Sequence, residues 1–482
     1  MHKLSILDAS FLYFESDHMP MNIGAVEHFQ VPPERREGFY QELLRYLADV
    51  VDCVPFMREK LKATPLGMDQ PVWIPDPDFD LTDHIERIQL DPPGSLGQLE
   101  ERVAELHEHP LDRRKPLWKY FWIEGLEDGN CALYSKYHHA CMDGMGAQLI
   151  LNTTLSDSPE RFPAHKKLSL TEEASRPRGL ALLQDAATNF LRKPLDSNHP
   201  LREQLASARK LSRRLLSGAQ GLGAFVANAP RTPFNRAISS KRSWACCSIP
   251  LAEMKRIGQA QGASVNDVLM TVVAGALRRY LIREGALPGR SLIAGVPVSL
   301  RSSDDSTTSN RVTMLLCALG TQEKDPLKRM ALIHESMHTG RDLLDDASGL
   351  MLEDAHIPGL PRLMKNAAWM FDRLKLADVF GPVMNVVISN VRGPSVPMYL
   401  NGALMLSHYP VSIPAHSVAV NFTVQSYQDR LDMGITACAK TLTDIDVLRD
   451  DVLNSWQEIC ARSGHEPDTR NIDSGQGLAQ EV

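Results

Sequence analysis

Residues 136–146 of the chain read Lys-Tyr-His-His-Ala-Cys-Met-Asp-Gly-Met-Gly, two adjacent histidines followed by an acid and a glycine. The run before them, Cys131 to Tyr137, is short, aromatic and apolar, and it lacks Gly and Pro, which predicts a strand. The run after them, Met145 to Leu155, is apolar at roughly helical spacing. His138 and His139 therefore stand where a strand turns into a helix, and the glycines permit the backbone angles that such a corner needs.

The two histidines are predicted to do different jobs, because neighbouring side chains on a strand point to opposite faces. One ring can face a cavity while the other braces the corner. A neutral histidine presented to a cleft is the usual general base near neutral pH. Asp143, turned inward, fits a structural role in which it holds the loop through an arginine or through backbone amides.

Two other interpretations of this stretch stay open. A purely structural histidine pair would give the same residues. A metal site from the two histidines and Asp143 is disfavoured, because adjacent strand histidines diverge and no further His or Cys cluster has ligand spacing.

The length and composition indicate a globular protein of more than one domain. The chain has 482 residues, ordinary apolar content and a net charge of −7, so two unequal domains are expected, and nucleic acid is not an expected partner. The start of the chain has no signal-peptide pattern, and no apolar stretch reaches the roughly 18 residues of a transmembrane helix. Eight cysteines without framework spacing suggest reduced thiols in a cytosolic protein.

Strands and helices alternate in both halves of the sequence, which predicts two α/β sandwich domains with the active cleft between them. We expect an N-terminal domain at 1–160, a helical basic connector at 161–240, a C-terminal domain at 241–463 and a polar tail at 464–482. Neither a Rossmann nor a P-loop glycine pattern occurs, so the sequence does not support chemistry driven by a nucleotide.

The connector region is strongly basic inside an acidic protein. Residues 166–242 contain fifteen Lys and Arg but only five Asp and Glu. From Leu201 to Leu216 the apolar residues fall on one helical face and the basic ones mostly elsewhere. Such a helix can lie on an anionic membrane surface, and it can equally be a solvated connector between domains.

The motif at 138–144, His-His-Ala-Cys-Met-Asp-Gly, resembles the signature of acyl-CoA-dependent acyltransferases built like chloramphenicol acetyltransferase and peptide-synthetase condensation domains. Further blocks, in order from residue 7 to about 460, resemble the bacterial wax ester synthase/diacylglycerol acyltransferase family. These blocks are Leu7-Asp8 with Phe11-Leu12, Pro20-Met21, Pro116-Leu117-Trp118, Asn266-Asp267-Val268, Val296-Pro297-Val298-Ser299-Leu300-Arg301 and Ser389-Asn390-Val391-Arg392-Gly393-Pro394. Asn22 and Ser309 depart from the family pattern, which leaves the substrate preference in question.

The resemblance implies two chloramphenicol-acetyltransferase-like domains with the active site in a channel between them. It also implies acyl-CoA as acyl donor, a fatty alcohol or diacylglycerol as acceptor, and no metal or other cofactor. His139, which carries the His-x-x-x-Asp spacing, would take the proton of the acceptor hydroxyl and pass it to the departing CoA thiolate. The protein would be cytoplasmic and peripherally associated with the inner membrane or with lipid inclusions.

Other site residues follow from the same resemblance. Asn266 is the expected oxyanion donor, with a plain helix cap as the alternative, since either Ser264 or Asn266 could cap the helix that begins there. Asp143 is expected to pair with an arginine such as Arg301. The expected substrate-binding residues are Pro116, Leu117, Trp118, Gly144, Ser389 and Asn390. Together, Ser389-Asn390 and Gly393-Pro394 predict a tight turn, near the acyl tunnel.

Two other functions remain open at this point. An amide-forming condensation enzyme would share the motif, but it would need a carrier-protein surface and usually has neighbouring carrier domains. A non-catalytic lipid-binding protein that coats storage droplets would use the basic helix as its anchor.

Overall fold

The computed structural model describes residues 2–64, 69–141, 150–160, 229–299, 312–347 and 360–464. These residues form two compact units, and each contains a six-stranded sheet. The basic helix expected at 201–216 and the tail expected after 464 lie outside the described residues.

In chain order the strands are β1 (His2–Lys3), β2 (Asn22–Gln30), β3 (Glu59–Lys62), β4 (Val72–Pro75), β5 (Ile85–Gln89), β6 (Trp118–Glu124), β7 (Cys131–His138), β8 (Arg242–Pro250), β9 (Ile293–Ser299), β10 (Val312–Ala318), β11 (Val386–Val391), β12 (Tyr399–Leu400), β13 (Ala403–Val411), β14 (Val420–Tyr427) and β15 (Arg430–Cys438). The α-helices with both ends described are α1 (Ile6–Phe14), α2 (Phe39–Val51), α3 (Leu96–His107), α4 (Leu251–Gln261), α5 (Val265–Arg283), α6 (Pro326–Ala347), α7 (Leu360–Arg373) and α8 (Ile445–Arg462).

The first unit is not continuous in sequence. It combines the described residues up to 160 with 360–373 and 394–411, and the remaining described residues form the second unit. The sequence predicts continuous domains, so it missed that two segments from the C-terminal half complete the first unit. The second of these segments supplies β12 and β13, and β13 pairs with β2.

The sheet of the first unit has the strand order β12-β13-β2-β7-β6-β5. The strand predicted before the histidines is confirmed as β7, and β6 and β7 form a hairpin across a turn in which Gly129 has a φ of +72°. By contrast, β5 and β6 are parallel and are joined through α3. The strand that ends in the histidine motif therefore lies inside the sheet, with β2 and β6 on its two sides.

Two helices cover opposite faces of this sheet. On one face the Phe39 ring of α2 lies 5.3 Å from the Trp122 ring. On the other face the Tyr134 hydroxyl lies 2.6 Å from Nδ1 of His107 in α3. Helix α2 ends at Val51, ahead of Pro55, which cannot donate a backbone hydrogen bond.

Helix α1 packs directly against the corner that follows β7. It begins at Ser5, whose Oγ accepts a hydrogen bond from the Asp8 amide at 3.0 Å. Its buried side chains lie in one apolar cluster with Trp73 and Leu117 and with Ala140 and Cys141 of the corner. A small antiparallel sheet, ordered β1-β4-β3, completes the first unit.

The sheet of the second unit has the strand order β10-β9-β11-β14-β15-β8. Strand β11 pairs in parallel with both β9 and β14, and the other neighbours pair antiparallel. The turn predicted at Ser389-Asn390 is wrong: both residues continue β11, opposite Thr423 and Val424 of β14. The β-branched run that starts at Val386 extends through them because these backbone groups have partners on the next strand.

Helix α5 begins with a capping box. The Ser264 Oγ accepts from the Asp267 amide at 3.2 Å, and the Ser264 amide donates to the Asp267 carboxylate at 2.9 Å. Ser264 is therefore the helix cap, and the alternative that made Asn266 the cap is wrong. Among the described residues, no helix combines the length and apolar character needed to cross a bilayer.

Candidate active site

The backbone of both histidines is fixed from two sides. Strand β7 ends at His138, and His139–Cys141 form a single 3₁₀ turn. The amide of His138 donates to the Leu117 carbonyl at 3.0 Å, and the amide of His139 donates to the Met21 carbonyl at 2.8 Å. The chains that lead into β6 and into β2 thus hold the corner between them.

The ring of His138 is completely buried, and each of its nitrogens faces a polar group. Its Nδ1 accepts a hydrogen bond from the Ala140 amide at 3.0 Å. Because Nδ1 accepts, the proton of the neutral ring belongs on Nε2, which lies 3.4 Å from Oε1 of Glu15. His138 therefore holds the 3₁₀ turn on one side and contacts a carboxylate on the other.

Glu15 follows directly after α1 and is the centre of this network. Its Oε1 accepts from the Met21 amide at 3.1 Å, and its Oε2 accepts from Nη2 and Nε of Arg113 at 2.6 and 2.9 Å. Burial alone would raise the pKa of Glu15, but the contact with His138, the charge of Arg113 and the hydrogen bond from the Met21 amide lower it to about 2. The buried carboxylate is thus ionised at neutral pH.

His139 has a different environment from its neighbour. Its ring stacks on the Phe11 ring of α1, with centroids 3.7 Å apart and planes 13° from parallel. Burial, and secondarily the neighbouring His138, lowers the pKa of His139 to about 4. Among the residues that the structure describes, its Nδ1 has no hydrogen-bond partner. The arrangement gives a fixed, neutral imidazole at pH 7, which is what a general base requires.

The sequence interpretation missed three residues of this network, Phe11, Glu15 and Arg113. A signal for two of them exists, because Phe11 and Glu15 are one helical turn apart and so lie on the same side of α1. No local pattern points to Arg113, which is 98 residues from Glu15 in sequence.

The other predicted site residues lie in different places. Pro116, Leu117 and Trp118 are buried, and the Trp118 indole donates to the Met57 carbonyl at 2.9 Å. Asn266 is half-buried in the first turn of α5, in the second unit. Ser389 is half-buried and Asn390 exposed. Asp143, Gly144 and Arg301 lie outside the described residues, as does the pairing expected between Asp143 and Arg301.

A metal centre finds no support in the described part of the chain. No three His, Cys, Asp or Glu side chains are grouped there as metal ligands would be. The described groups at the corner can hold a histidine ring in place. The chemistry available to that ring is proton transfer.

Comparison with protein families gives two matches along the chain. The wax ester synthase/diacylglycerol acyltransferase catalytic domain matches residues 4–269, and the WS/DGAT C-terminal domain matches residues 308–460. The first match includes both histidines and the α1 network.

Individual relatives match over nearly the whole chain. A putative diacylglycerol O-acyltransferase from Mycobacterium tuberculosis is 34% identical over 463 residues, which are 95% of this chain and 99% of the relative. The O-acyltransferase WSD from Acinetobacter baylyi is 31% identical over 456 residues, which are 92% of this chain and 93% of the relative.

Solved structures agree with these matches. The wax ester synthase/diacylglycerol acyltransferase from Marinobacter aquaeolei VT8 has 28% identity and a TM-score of 0.69, and the match covers 96% of this chain and 100% of that one. The first condensation domain of the CDA synthetase has 14% identity and a TM-score of 0.56, with 96% of this chain and 97% of that one covered. At 14% identity the second likeness concerns the fold alone.

Proposed function

The chain belongs to the wax ester synthase/diacylglycerol acyltransferase family, and from that premise we propose that His139 is the general base of its acyl transfer. The protein is an O-acyltransferase of this family. The observation that carries the assignment is the contrast between the two rings. His138 accepts a hydrogen bond at Nδ1 and lies 3.4 Å from the Glu15 carboxylate at Nε2, whereas the neutral His139 ring stacks on Phe11 and has no hydrogen-bond partner at Nδ1 among the described residues.

The reaction exchanges one bond to the acyl carbon for another. As the acceptor oxygen attacks the thioester carbonyl, His139 takes the hydroxyl proton. The carbon–sulfur bond then breaks, and the imidazolium returns the proton to the CoA thiolate, so that an ester and free CoA leave. A placed base of this kind contributes about 10²–10⁴-fold, or roughly 3–5 kcal/mol.

The depressed pKa of His139 affects both halves of this cycle. A ring with a pKa of about 4 is a weak base in the resting enzyme, but it is fully unprotonated at pH 7 and so always ready to accept. The same burial makes the imidazolium a strong acid, which favours return of the proton to the thiolate.

Base catalysis alone is insufficient, so oxyanion stabilisation is expected to contribute comparably. Asn266 is our candidate donor, and because Ser264 already caps α5, the Asn266 amide is not needed for capping. We keep Asp143 and Arg301 as a structural pair, and Pro116 to Trp118, Gly144, Ser389 and Asn390 as substrate contacts.

For the acceptor we propose a long-chain alcohol, with diacylglycerol as a second acceptor and a long-chain acyl-CoA as donor. The names of the relatives support both acceptors: the Marinobacter protein is named for both activities, and the Mycobacterium relative for diacylglycerol. We further propose that the enzyme associates peripherally with a membrane or lipid-droplet surface, because these acceptors do not dissolve in water.

The two rival functions are less well supported. An amide-forming condensation enzyme shares the fold, but that likeness is only 14% identical. A lipid-coating protein without catalysis would have no use for a neutral imidazole held by a buried network.

Replacement of His139 by Ala tests the assignment. We expect CoA release from palmitoyl-CoA and hexadecanol, followed as free thiol, to fall at least about 10²-fold. His109→Ala is the matched control, since this side chain is exposed in the same unit and its carbonyl, which accepts from Asn22 and Lys136, is kept. Turnover unchanged in His139→Ala would remove this histidine from the mechanism.

A further inference from the structure

Exposed apolar side chains are concentrated in one stretch of the chain. Of the fifteen large apolar side chains that are exposed in the described residues, seven fall within 21 consecutive positions. They are Leu363, Trp369, Met370, Leu374, Val379, Phe380 and Val383. Three of them, Leu363, Trp369 and Met370, lie in helix α7 of the first unit. Several exposed apolar side chains on one helix indicate a surface that binds a partner, whereas single exposed apolar residues need no explanation.

Helix α7, at the start of this stretch, is apolar on two sides. Met364, Ala368 and Phe371 recur at helical spacing and are half-buried, as expected for the side that packs on α1. A different side carries Leu363, Trp369 and Met370, which are 67%, 66% and 49% exposed. Packing within the first unit therefore accounts for one apolar side of α7 and leaves the other at the surface.

The charges of α7 favour an anionic partner. Arg362, Lys365 and Arg373 are exposed, and the helix contains one acid, Asp372, whose carboxylate lies 3.0 Å from Nδ1 of His18. Lysines and arginines at an anionic bilayer surface are attracted by its negative potential, and tryptophan prefers the boundary between headgroups and acyl chains. An exposed tryptophan among basic residues of the helix, with exposed Leu363 and Met370 beside them, fits that boundary.

Helices α7 and α1 pack together, and α1 also contacts the imidazole of the proposed base. Helix α1, on which α7 packs, carries Phe11 against the His139 ring and exposes Leu7 and Phe14, at 43% and 40%. One nine-residue helix thus connects a surface with exposed apolar groups to the proposed base. A lipid layer in contact with this surface would bring water-insoluble acceptors close to the element that holds His139.

We propose that Leu363, Trp369 and Met370 of α7, together with the flanking Arg362, Lys365 and Arg373, form a lipid face that binds the surface of an anionic phospholipid layer. The inference deepens the proposed function, because it names the surface from which the lipid acceptor is drawn. Binding itself does not require catalysis, so His139→Ala must bind vesicles as the unchanged protein does. Loss of turnover and loss of binding are thereby separate results.

The chain contains its own probe of this face. All six tryptophans lie in the described residues, and all except Trp369 are buried: Trp73, Trp118, Trp122, Trp244 and Trp456. On addition of phosphatidylcholine vesicles with 30% phosphatidylglycerol, the fluorescence emission of Trp369 should shift to shorter wavelength, and brominated lipids should quench that fluorescence. Both signals should disappear in Trp369→Phe, while the vesicles should still bind that variant.

Binding is measured by vesicle flotation with the full chain. We expect Trp369→Ala to weaken vesicle binding about tenfold or more, because the variant lacks the aromatic ring that the lipid layer would bury. Arg362→Gln with Lys365→Gln should abolish the preference for phosphatidylglycerol over pure phosphatidylcholine. Ile282→Ala is the matched control, because this side chain of the second unit is 54% exposed and should have no effect.

Three results would overturn the proposal. Unchanged flotation in Trp369→Ala would remove the face from lipid binding. Self-association without vesicles that is lost in Trp369→Ala would assign the face to a second copy of the chain. An equal loss of turnover with a short, water-dissolved alcohol and with a vesicle-borne alcohol would make the face part of the substrate route instead.

Discussion

The imidazole of His139 lies flat against the phenyl ring of Phe11, with the ring centroids 3.7 Å apart. Four residues later, Glu15 contacts the ring of His138. Helix α1 and the residue directly after it therefore each supply one contact to a histidine of the motif, and the position of α1 affects the orientation of both rings.

Replacement of Phe11 by Leu should lower turnover more than stability. Leu keeps most of the apolar volume but removes the ring that aligns His139. Aromatic pairs contribute about 0.5–1.5 kcal/mol beyond their buried area, so we expect kcat to fall roughly three- to tenfold while Tm changes by a few degrees. Phe14→Leu, at an exposed position of the same helix, is the control for kcat with a water-dissolved acceptor. Equal kcat in both variants would contradict a positioning role for Phe11.

Replacement of Glu15 by Gln should make the free energy of unfolding less dependent on pH in acid. The pKa of Glu15 is about 2 in the folded protein, below its usual 4.5, so its stabilisation is present above pH 4.5 and is lost as the pH falls toward 2. As the pH is lowered from 4.5 to 2, the free energy of unfolding of the wild-type protein, measured in urea, should fall by about 1.4 kcal/mol per pH unit more than that of Glu15→Gln. Parallel curves for the two proteins would count against the network.

The same variant should also reduce activity at neutral pH. Removal of the charge loosens the contacts of Glu15 with Arg113 and His138, and a displacement of about 1 Å at the catalytic group can cost up to 10²-fold. Glu105→Gln is a matched control, because its carboxylate forms an exposed ion pair with Arg102 on α3. We expect kcat to fall in Glu15→Gln and to stay unchanged in Glu105→Gln.

The pH profile of kcat/KM reports the pKa of the base in the free enzyme. Since burial lowers the pKa of His139 to about 4, the ring is unprotonated above that value, and activity should stay level from pH 7 down to about 5. It should fall only as the pH approaches 4, with circular dichroism at each pH to separate titration from unfolding. An acidic limb near the usual 6.5 of histidine would contradict the buried environment.

A second buried carboxylate, Glu27, should make the protein less stable as the pH rises. The Ser135 hydroxyl lies 3.3 and 3.4 Å from its two oxygens, and Nδ1 of His408 lies 3.5 Å from Oε1. Burial raises the pKa of Glu27 to about 8 and lowers that of His408 to about 4, so both groups are neutral in the fold at pH 7.

The direction in which stability changes with pH follows from the difference between the folded and unfolded pKa of Glu27. Because the folded pKa of Glu27 exceeds its usual 4.5, the stabilisation by its protonated form is complete below pH 4.5 and declines by about 1.4 kcal/mol per pH unit up to about pH 8. Urea unfolding at pH 5 to 8 should show that Glu27→Gln removes this decline and is the more stable protein at pH 8. The exposed Glu37→Gln is the control. An unchanged slope in Glu27→Gln would show that Glu27 is ionised in the fold.

Much of the local structure could be predicted from the sequence. The strand that ends at His138 and the helix that begins after Ser264 follow from residue patterns and capping, which involve neighbours along the chain. The reaction class followed from the motif blocks. Where the local pattern was ambiguous, as at Ser389-Asn390, pairing with β14 decided for a strand.

The sequence by itself determined the corner and its two histidines, whereas the tertiary structure decided how the environments of the two rings differ. His138 and His139 are adjacent and chemically identical, and only the packing of α1 and Arg113 around them distinguishes their rings. The pairing of β13 with β2, far apart in the chain, is of the same kind. Burial and pairing depend on residues distant in sequence, and for that reason no local pattern encodes them.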